Sequence, residues 1–366
     1  MRLSSATPGA APYPVMQNPS RAFLLGPLLK GVSRSFYLTL NVLPAGMRDP
    51  VGVAYLLARA ADTIADTALI PPGQRLDLLL SLRACVNGTA SAPDDAVRRI
   101  AGEVANQQAQ SDEKVLLESI GAALNVLTQL PDADRAAIRE IVTTLTEGME
   151  YDLRTFPDER SGSVMALRTW DDLDRYTYLV AGCVGEFWTK MTYLHVRGAL
   201  NSDEATLMRD GVRFGKALQM VNVLRDCGKD LRIGRCYLPE TMLHQAGLRA
   251  EDLLAQDASQ RARALMFDLV RRSLDHFRAA IAYTFAIPAW SLRLRLACLW
   301  PILIGLETLL LLVDNENWLD PQRASKLKRG DVYRILLRST LAAPSNWLLR
   351  RWFDRLIARI EARVAR

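Results

Sequence analysis

Two short stretches of this 366-residue chain place acidic and basic side chains where they could do chemistry. In YLLARAADTIAD, Tyr55, Arg59, Asp62 and Asp66 sit at offsets of zero, four, seven and eleven, one stripe of an α-helix. In QMVNVLRDCGKD, Gln219, Asn222, Asp226 and Asp230 fall at zero, three, seven and eleven. The surrounding positions are apolar, Leu56, Leu57, Ala60 and Ile64 in the first copy and Met220, Val221, Val223 and Leu224 in the second. Both helices are therefore expected to be buried, each with a pair of carboxylates that repel one another. Unpaired carboxylates in a dry interior are costlier still. A hard divalent cation removes the cost: Mg²⁺ binds through one or two carboxylates, keeps waters, and adds the phosphate oxygens of a substrate. A single D-x-x-x-D is a common solvated pattern, but two copies in apolar helices point to a diphosphate–Mg²⁺ site, with Mn²⁺ as the alternative ion.

The elements that must position these stripes are all helical. From residue 21 onward apolar residues recur at helical spacing, and no segment sustains the alternation of a strand. The spacing predicts helices over 22–40, 48–67, 73–86, 93–107, 112–128, 132–152, 169–196, 202–231, 251–284, 289–314 and 330–365, the last broken near Pro344. Pro71-Pro72, Pro131-Asp132 and Gly234 with Pro239 punctuate them. The segment from Phe156 to Leu167, with Pro157, Ser161, Gly162 and Ser163, is the longest interior loop, read as a surface loop with a lid as the alternative. The expected organisation is a tail over 1–20, one large helical domain around a central cavity over 21–343, and a basic amphipathic helix over 344–366.

Composition narrows the function. There are 46 Lys and Arg against 40 Asp and Glu, with only seven Lys, and the two signs alternate along the chain, so no nucleic-acid surface is expected. The five cysteines form no C-x-x-C pair, which suits a reducing compartment, and the three histidines lie too far apart for zinc spacing. The first twenty residues lack the charged start and apolar stretch of a signal peptide, and a cytoplasmic location is expected. Leu296 to Val313 is long enough to span a membrane but carries Glu307, Pro301 and Gly305, so a buried helix lining an apolar cavity is expected.

The segment SRSFYLTLNVLPAGMRDPVGVAYLLARAADTIADT resembles the squalene and phytoene synthase family, and the likeness runs over roughly residues 25 to 340. EGM at Glu147 to Met149, RYTYLVAGCVGE from Arg175, NVLRDCGKDLRIGRCYLP from Asn222 and CLWPILIGLETLLL from Cys298 follow in family order. The resemblance implies the all-α isoprenoid synthase fold and head-to-head condensation of two prenyl diphosphates. It implies that Asp62, Asp66, Asp226 and Asp230 hold Mg²⁺ ions bridging the diphosphates. Ser33, Arg34, Tyr55 and Arg59 would contact the diphosphate that ionises, and Gln219, Asn222 and Arg225 match the family beside the second aspartate pair. Tyr176, matching the family's tyrosine before VAG, is the expected proton acceptor when the cyclopropane of presqualene diphosphate closes; a neutral phenol is a weak base, so the role needs a partner. Tyr178 points to another helix face. Gly182 and Gly185 reflect close approach of either a neighbouring helix or substrate.

Within the family, Thr63 in DTIAD resembles the squalene synthase form and favours farnesyl diphosphate, whereas Lys229 and GRCYLP leave phytoene synthase open. Squalene synthesis adds a reduction by NADPH. No G-x-G-x-x-G is present, so the nucleotide would not bind in a Rossmann manner. The cluster Lys326, Lys328 and Arg329 resembles the basic segment that squalene synthases place near the cofactor's phosphates, and a solvated surface is the plainer reading. Dehydrosqualene, phytoene or presqualene diphosphate synthase, and a noncatalytic assembly factor, are the alternatives; the four aspartates argue against the last. The final stretch places Leu349, Phe353, Leu356, Ile360 and Val364 on one face among six Arg. That face is expected either to lie on an anionic membrane as a peripheral contact or to pack on its own domain. A monomer or homodimer is expected.

Overall fold

The computed structural model describes residues 19–33, 37–156, 158–196, 198, 200 and 202–365. Ten helices carry the architecture: α1 Ala45–Asp66, α2 Pro72–Asn87, α3 Asp132–Thr155, α4 Trp170–Thr177, α5 Cys183–His195, α6 Glu204–Leu231, α7 Arg263–Ala286, α8 Leu292–Asp314, α9 Arg329–Ala342 and α10 Asn346–Val364. Several starts have local chemical reasons. Pro72 opens α2, a reciprocal Thr169–Asp172 capping box opens α4, and the side chains of Asp203 and Ser345 cap α6 and α10.

Two departures from the sequence expectation matter for the site. The helix expected over 169–196 is interrupted by a π-helical turn at Tyr178–Gly182 between α4 and α5. The turn seats on Gly148 of the EGM motif, where a Cβ would come within 2.8 Å of Val180 and 3.1 Å of Leu179. A two-residue parallel ladder was not expected: Met165–Ala166 (β1) pairs with Arg235–Cys236 (β2). The helix expected over 22–40 is divided, with Arg21–Phe23, a π turn at Leu24–Leu28, Leu29–Ser33 and Tyr37–Asn41.

The helices enclose two apolar cores. One gathers the inner faces of α6, α7, α8 and α10; the other those of α1, α2, α3 and α5. Helix α6 packs along α7 and α5, and α1 along α3. The α5–α6 crossing is close enough to exclude side chains: a Cβ on Gly185 would sit 1.7 Å from the Gly211 carbonyl oxygen, and one on Gly215 would sit 2.0 Å from that of Ala181. Helix packing, not substrate, thus accounts for Gly185. Helix α8 passes the length and hydropathy test for a membrane span, yet 78% of its most apolar window is buried within the protein. The apolar face of α10 is also internal, with Leu349, Phe353, Leu356, Ile360 and Val364 each at most 4% exposed.

Candidate active site

At the seam between the cores the first stripe contributes both of its aspartates and the second contributes Gln219, while Asp226 and Asp230 are not among the cavity's lining residues. A cavity of about 200 Å³ opens there, lined by Asp62, Ala65 and Asp66 from α1, by Leu145, Met149, Asp152 and Leu153 from α3, and by Tyr176, Val180, Gln219 and Arg235. It is smaller than the ~300–1,000 Å³ typical of ligand pockets, because Leu145, Met149, Leu153 and Val180 converge on it. The expected wall from Leu296 to Val313 is not among its lining residues: α8 packs in the core instead, and of Val180-Ala181-Gly182 only Val180 reaches the cavity.

Burial, followed by the nearby charge of Asp66, pushes Asp62 up to about 6 against the pull of Arg59, although the Asp62 side chain keeps 40% of its surface open. On α6, burial and then Asp226 push Asp230 up to about 7, with Arg235 opposing. Asp66 is exposed at the mouth. Both helices are covered on most of their girth as expected, while Asp62, Asp226 and Asp230 on their polar stripes are half-buried and Asp66 is exposed. Gly228 lies on the covered side of α6: a Cβ there would stand 2.1 Å from the Leu319 carbonyl oxygen, so the segment after α8 backs the helix closely.

The basic and neutral residues divide. Arg59 is ion-paired to Asp62 and, at 2.5 Å, to Glu113. Arg225 forms a fork with Asp226, its Nε donating to Oδ1 at 3.0 Å and Nη2 pairing with Oδ2. Gln219 lines the cavity and accepts a hydrogen bond from Asn222 Nδ2 at 3.2 Å, Asn222 itself being exposed. The Ser33 hydroxyl turns back to donate to the Leu29 carbonyl at 2.5 Å, and the Tyr55 hydroxyl donates to the Val32 carbonyl at 3.4 Å. Neither reaches the cavity lining; Arg34 lies outside the described residues. Tyr176 lines the cavity, while Tyr178 turns away and donates to Glu186 Oε2 at 3.1 Å. Lys326, Lys328 and Arg329 are exposed at the start of α9.

Sequence reasoning missed the centre of the site. Asp152 Oδ2 accepts from the Tyr237 hydroxyl at 2.7 Å and the Tyr176 hydroxyl at 3.5 Å, and the two rings stack with centroids 4.6 Å apart. Asp152 Oδ1 is buried without a hydrogen-bond partner. Burial pushes this carboxyl up to about 7, against the hydrogen bond from Tyr237 and the charge of Arg235. Burial also holds both tyrosines well above the usual phenol range, with the Asp152 charge adding to it. Arg235 stands 3.8 Å from Asp152 Oδ2, 4.0 Å from Asp66 Oδ1 and 3.1 Å from Glu159 Oε1. Burial alone would lower the Arg235 pKa, but Tyr237, Asp152 and Asp66 hold its proton more firmly. Glu159 is in turn gripped by the buried Arg75 through two bonds of 2.8 and 2.7 Å, and Arg75 also donates to the Ala65 carbonyl at 2.9 Å. The loop considered as a lid is thus tied down by Glu159; its Pro157 lies outside the described residues. One signal was readable: Leu145, Met149 and Asp152 share a helical stripe, a lone acid at the end of an apolar row.

A helical shell in which α1 and α3 present Asp62, Asp66 and Asp152 to one cavity, with Gln219 of α6, Tyr176 and Arg235 also in its lining, has the isoprenoid synthase fold. The chain belongs to the squalene/phytoene synthase family, whose model matches residues 29–330. It is 30% identical over 254 residues to a bifunctional lycopene cyclase/phytoene synthase of Colletotrichum graminicola, covering 68% of this chain and only 39% of that protein. It is 26% identical over 321 residues to the squalene synthase of Solanum lycopersicum, covering 86% and 70%. The fold matches the structure of TcSQS with the ligand E5700 at a TM-score of 0.72 and 23% identity, over 94% and 96% of the two chains. A dehydrosqualene synthase structure matches at 0.58 with 19% identity, over 92% and 96%. The protein is an all-α prenyltransferase of this family.

Proposed function

We propose that this chain joins two farnesyl diphosphates head to head to presqualene diphosphate and reduces that intermediate with NADPH to squalene. The observation that carries the reading is the convergence of Asp62, Asp66, Gln219, Tyr176 and Arg235 on one cavity, with Asp230 close enough to feel Arg235 and Asp152. The donor set fits a hard cation: oxygen ligands only, in like-charged pairs, with Asp62 and Asp230 raised in proton affinity by burial and then by the neighbouring aspartate. Among the described residues no three His, Cys, Asp or Glu side chains gather as a metal site of their own, so each pair would share its ion with a substrate diphosphate. Mg²⁺, or Mn²⁺ in its place, would be held by Asp62 with Asp66 and by Asp226 with Asp230, and supplies the positive charge that makes diphosphate a competent leaving group.

The protein's own part is to bind and to exclude water. Arg59 and Arg225 already pair with Asp62 and Asp226 and can turn from them to diphosphate oxygens. Arg235 holds a third positive charge beneath the cavity. Leu145, Met149, Leu153 and Val180 form the apolar lining that an allylic cation needs, and Met149 is flexible enough to move as prenyl chains enter. Tyr176 receives the proton lost on ring closure.

A second reading is favoured by the 30% identity to a phytoene synthase: condensation without reduction. Product analysis with farnesyl diphosphate and Mg²⁺, with and without NADPH, separates them. Squalene formed only with NADPH supports the two-step reaction and makes Lys326, Lys328 and Arg329 its cofactor-binding candidates; an unreduced product in both conditions selects the second reading, and no product removes farnesyl diphosphate as the substrate and returns longer prenyl diphosphates or a noncatalytic role.

Peripheral membrane contact belongs to the same proposal but moves from α10 to α9. Tyr333, Leu337 and Leu341, each 65–74% exposed, form one outward row on α9 beside the exposed Arg338. Trp347 and Leu348 extend exposed apolar surface onto the start of α10, next to Arg350 and Arg351. Apolar side chains among arginines suit an anionic lipid surface.

A further inference from the structure

We propose that Asp152 is the final acceptor of the proton released on cyclopropane closure, receiving it through the Tyr176 hydroxyl while Tyr237 and Arg235 hold the carboxylate in place. The inference rests on the head-to-head condensation reading.

Tyr176 cannot finish the reaction alone. Its phenol is neutral and held well above the ordinary phenol range by burial and the Asp152 charge, so taking a proton while keeping its own would leave an oxonium. The structure provides an outlet. The Tyr176 hydroxyl reaches Asp152 Oδ2 across 3.5 Å, at the wall of the cavity that both residues line. The bond is long, as catalytic hydrogen bonds often are before substrate tightens them. Proton and electron then balance. The departing C–H bond supplies its electron pair to the new ring bond, its proton goes to the Tyr176 oxygen, and the phenol's original proton passes to Asp152 Oδ2. Tyr176 ends neutral and the carboxylate ends as a carboxylic acid.

The surroundings are built to keep Asp152 ready for this. Tyr237 donates to the same oxygen at 2.7 Å, and its ring, stacked on Tyr176, fixes the two hydroxyls on one acceptor. Tyr237 is not among the cavity's lining residues, which leaves Tyr176 as the member of the pair that meets substrate. Arg235 stabilises the charged carboxylate from 3.8 Å, and is itself held by Glu159, which Arg75 clamps. The unpartnered Oδ1 means the carboxylate is not saturated with donors and retains affinity for a proton. A structural acid at this depth would be expected to have both oxygens satisfied.

The test measures two products from farnesyl diphosphate and Mg²⁺: inorganic diphosphate, which reports ionisation, and presqualene diphosphate with anything formed from it, which reports ring closure. In Asp152→Asn the ratio of ring-closed product to diphosphate is expected to fall about 100-fold, in the range general-base removal produces, with water-captured farnesol or nerolidol making up the difference. Tyr176→Phe is expected to lower the same ratio, and the double variant to be no worse than the weaker single, since both break one relay. An unchanged ratio in Asp152→Asn overturns the proposal and leaves released diphosphate as the acceptor. A double variant whose losses multiply likewise overturns it. Should Asp152→Asn not fold, Asp152→Glu carries the test: it restores an acid in the same place and is expected to keep the ratio within about tenfold of the parent, whereas a ratio as low as in Tyr176→Phe counts against the relay. A parent chain that turns over no prenyl diphosphate sinks the condensation reading as a whole; a parent that condenses beside an Asn variant that couples normally sinks only the role of Asp152.

Discussion

Asp152 shows how a residue can carry function at a cost to folding. In the folded chain burial lifts its proton affinity to about 7, against about 3.9 in an unfolded one. The folded state therefore binds the proton more tightly, and stability falls as pH rises from about 4 to 7. Asp152→Asn, free of the charge, is expected to melt above the parent at pH 8 in metal-free buffer, with the gap closing as pH falls toward 4. A gap that widens on acidification would contradict the assigned direction. The aspartate stripes predict differently. Asp62→Asn and Asp226→Asn should each lower turnover of farnesyl diphosphate at least about 100-fold, the scale of losing one transition-state charge contact, and chelation should abolish turnover until Mg²⁺ is restored. Undiminished turnover in either variant would remove the metal-site assignment.

At the scale of elements, the π turn at Tyr178–Gly182 and the glycines around it decide where the chemistry sits. The turn follows directly on α4, whose last residues include Tyr176 facing the cavity, while Tyr178, two positions on and on another helix face, donates to Glu186. Gly148 receives the turn, and Gly185, Gly211 and Gly215 let α5 and α6 meet backbone to backbone. Gly215→Ala is expected to destabilise by about 1–3 kcal/mol through overpacking, read as a lower melting temperature, whereas Gly73→Ala, with open space around it, should change little. Helix α9 carries a separate expectation: Leu337→Glu with Leu341→Glu should abolish co-sedimentation with anionic phospholipid vesicles while leaving soluble turnover intact. Vesicle binding that survives the double substitution would place the contact elsewhere, and binding absent in the parent would end the membrane reading.

At the scale of the whole molecule, the candidate active site lies on a seam. Asp62 and Met149 belong to helices of one core, and Gln219, Asp230 and Tyr176 to those of the other, so the residues proposed to hold the metal and substrate are drawn from both cores. Helix α10 contributes from a distance: Phe353 is 1% exposed and lies edge-on to Phe285 with ring centroids 6.1 Å apart. Phe353→Ala should cost about 3–5 kcal/mol, seen as a lower denaturation midpoint, with no first effect on the ratio of products. That separation would distinguish loss of fold from loss of chemistry.

Local spacing determined much of this. Offsets of three, four, seven and eleven place Asp62 with Asp66 and Asp226 with Asp230 on single helix faces whatever the helices pack against, and apolar flanks require that those helices be covered. Helical periodicity likewise specified the all-α class and the break near Pro344. What no local rule reaches is a contact between residues far apart in sequence. Asp152, Tyr176 and Tyr237 meet because α3, α4 and the short β2 ladder converge; Arg75 and Glu159, 84 positions apart, meet because the loop after α3 folds back over α2. The destination of α10 was equally undetermined. An apolar stripe states that water must be excluded from it, not whether lipid or the protein's own core will do so, and only tertiary packing placed Leu349, Phe353 and Ile360 inside.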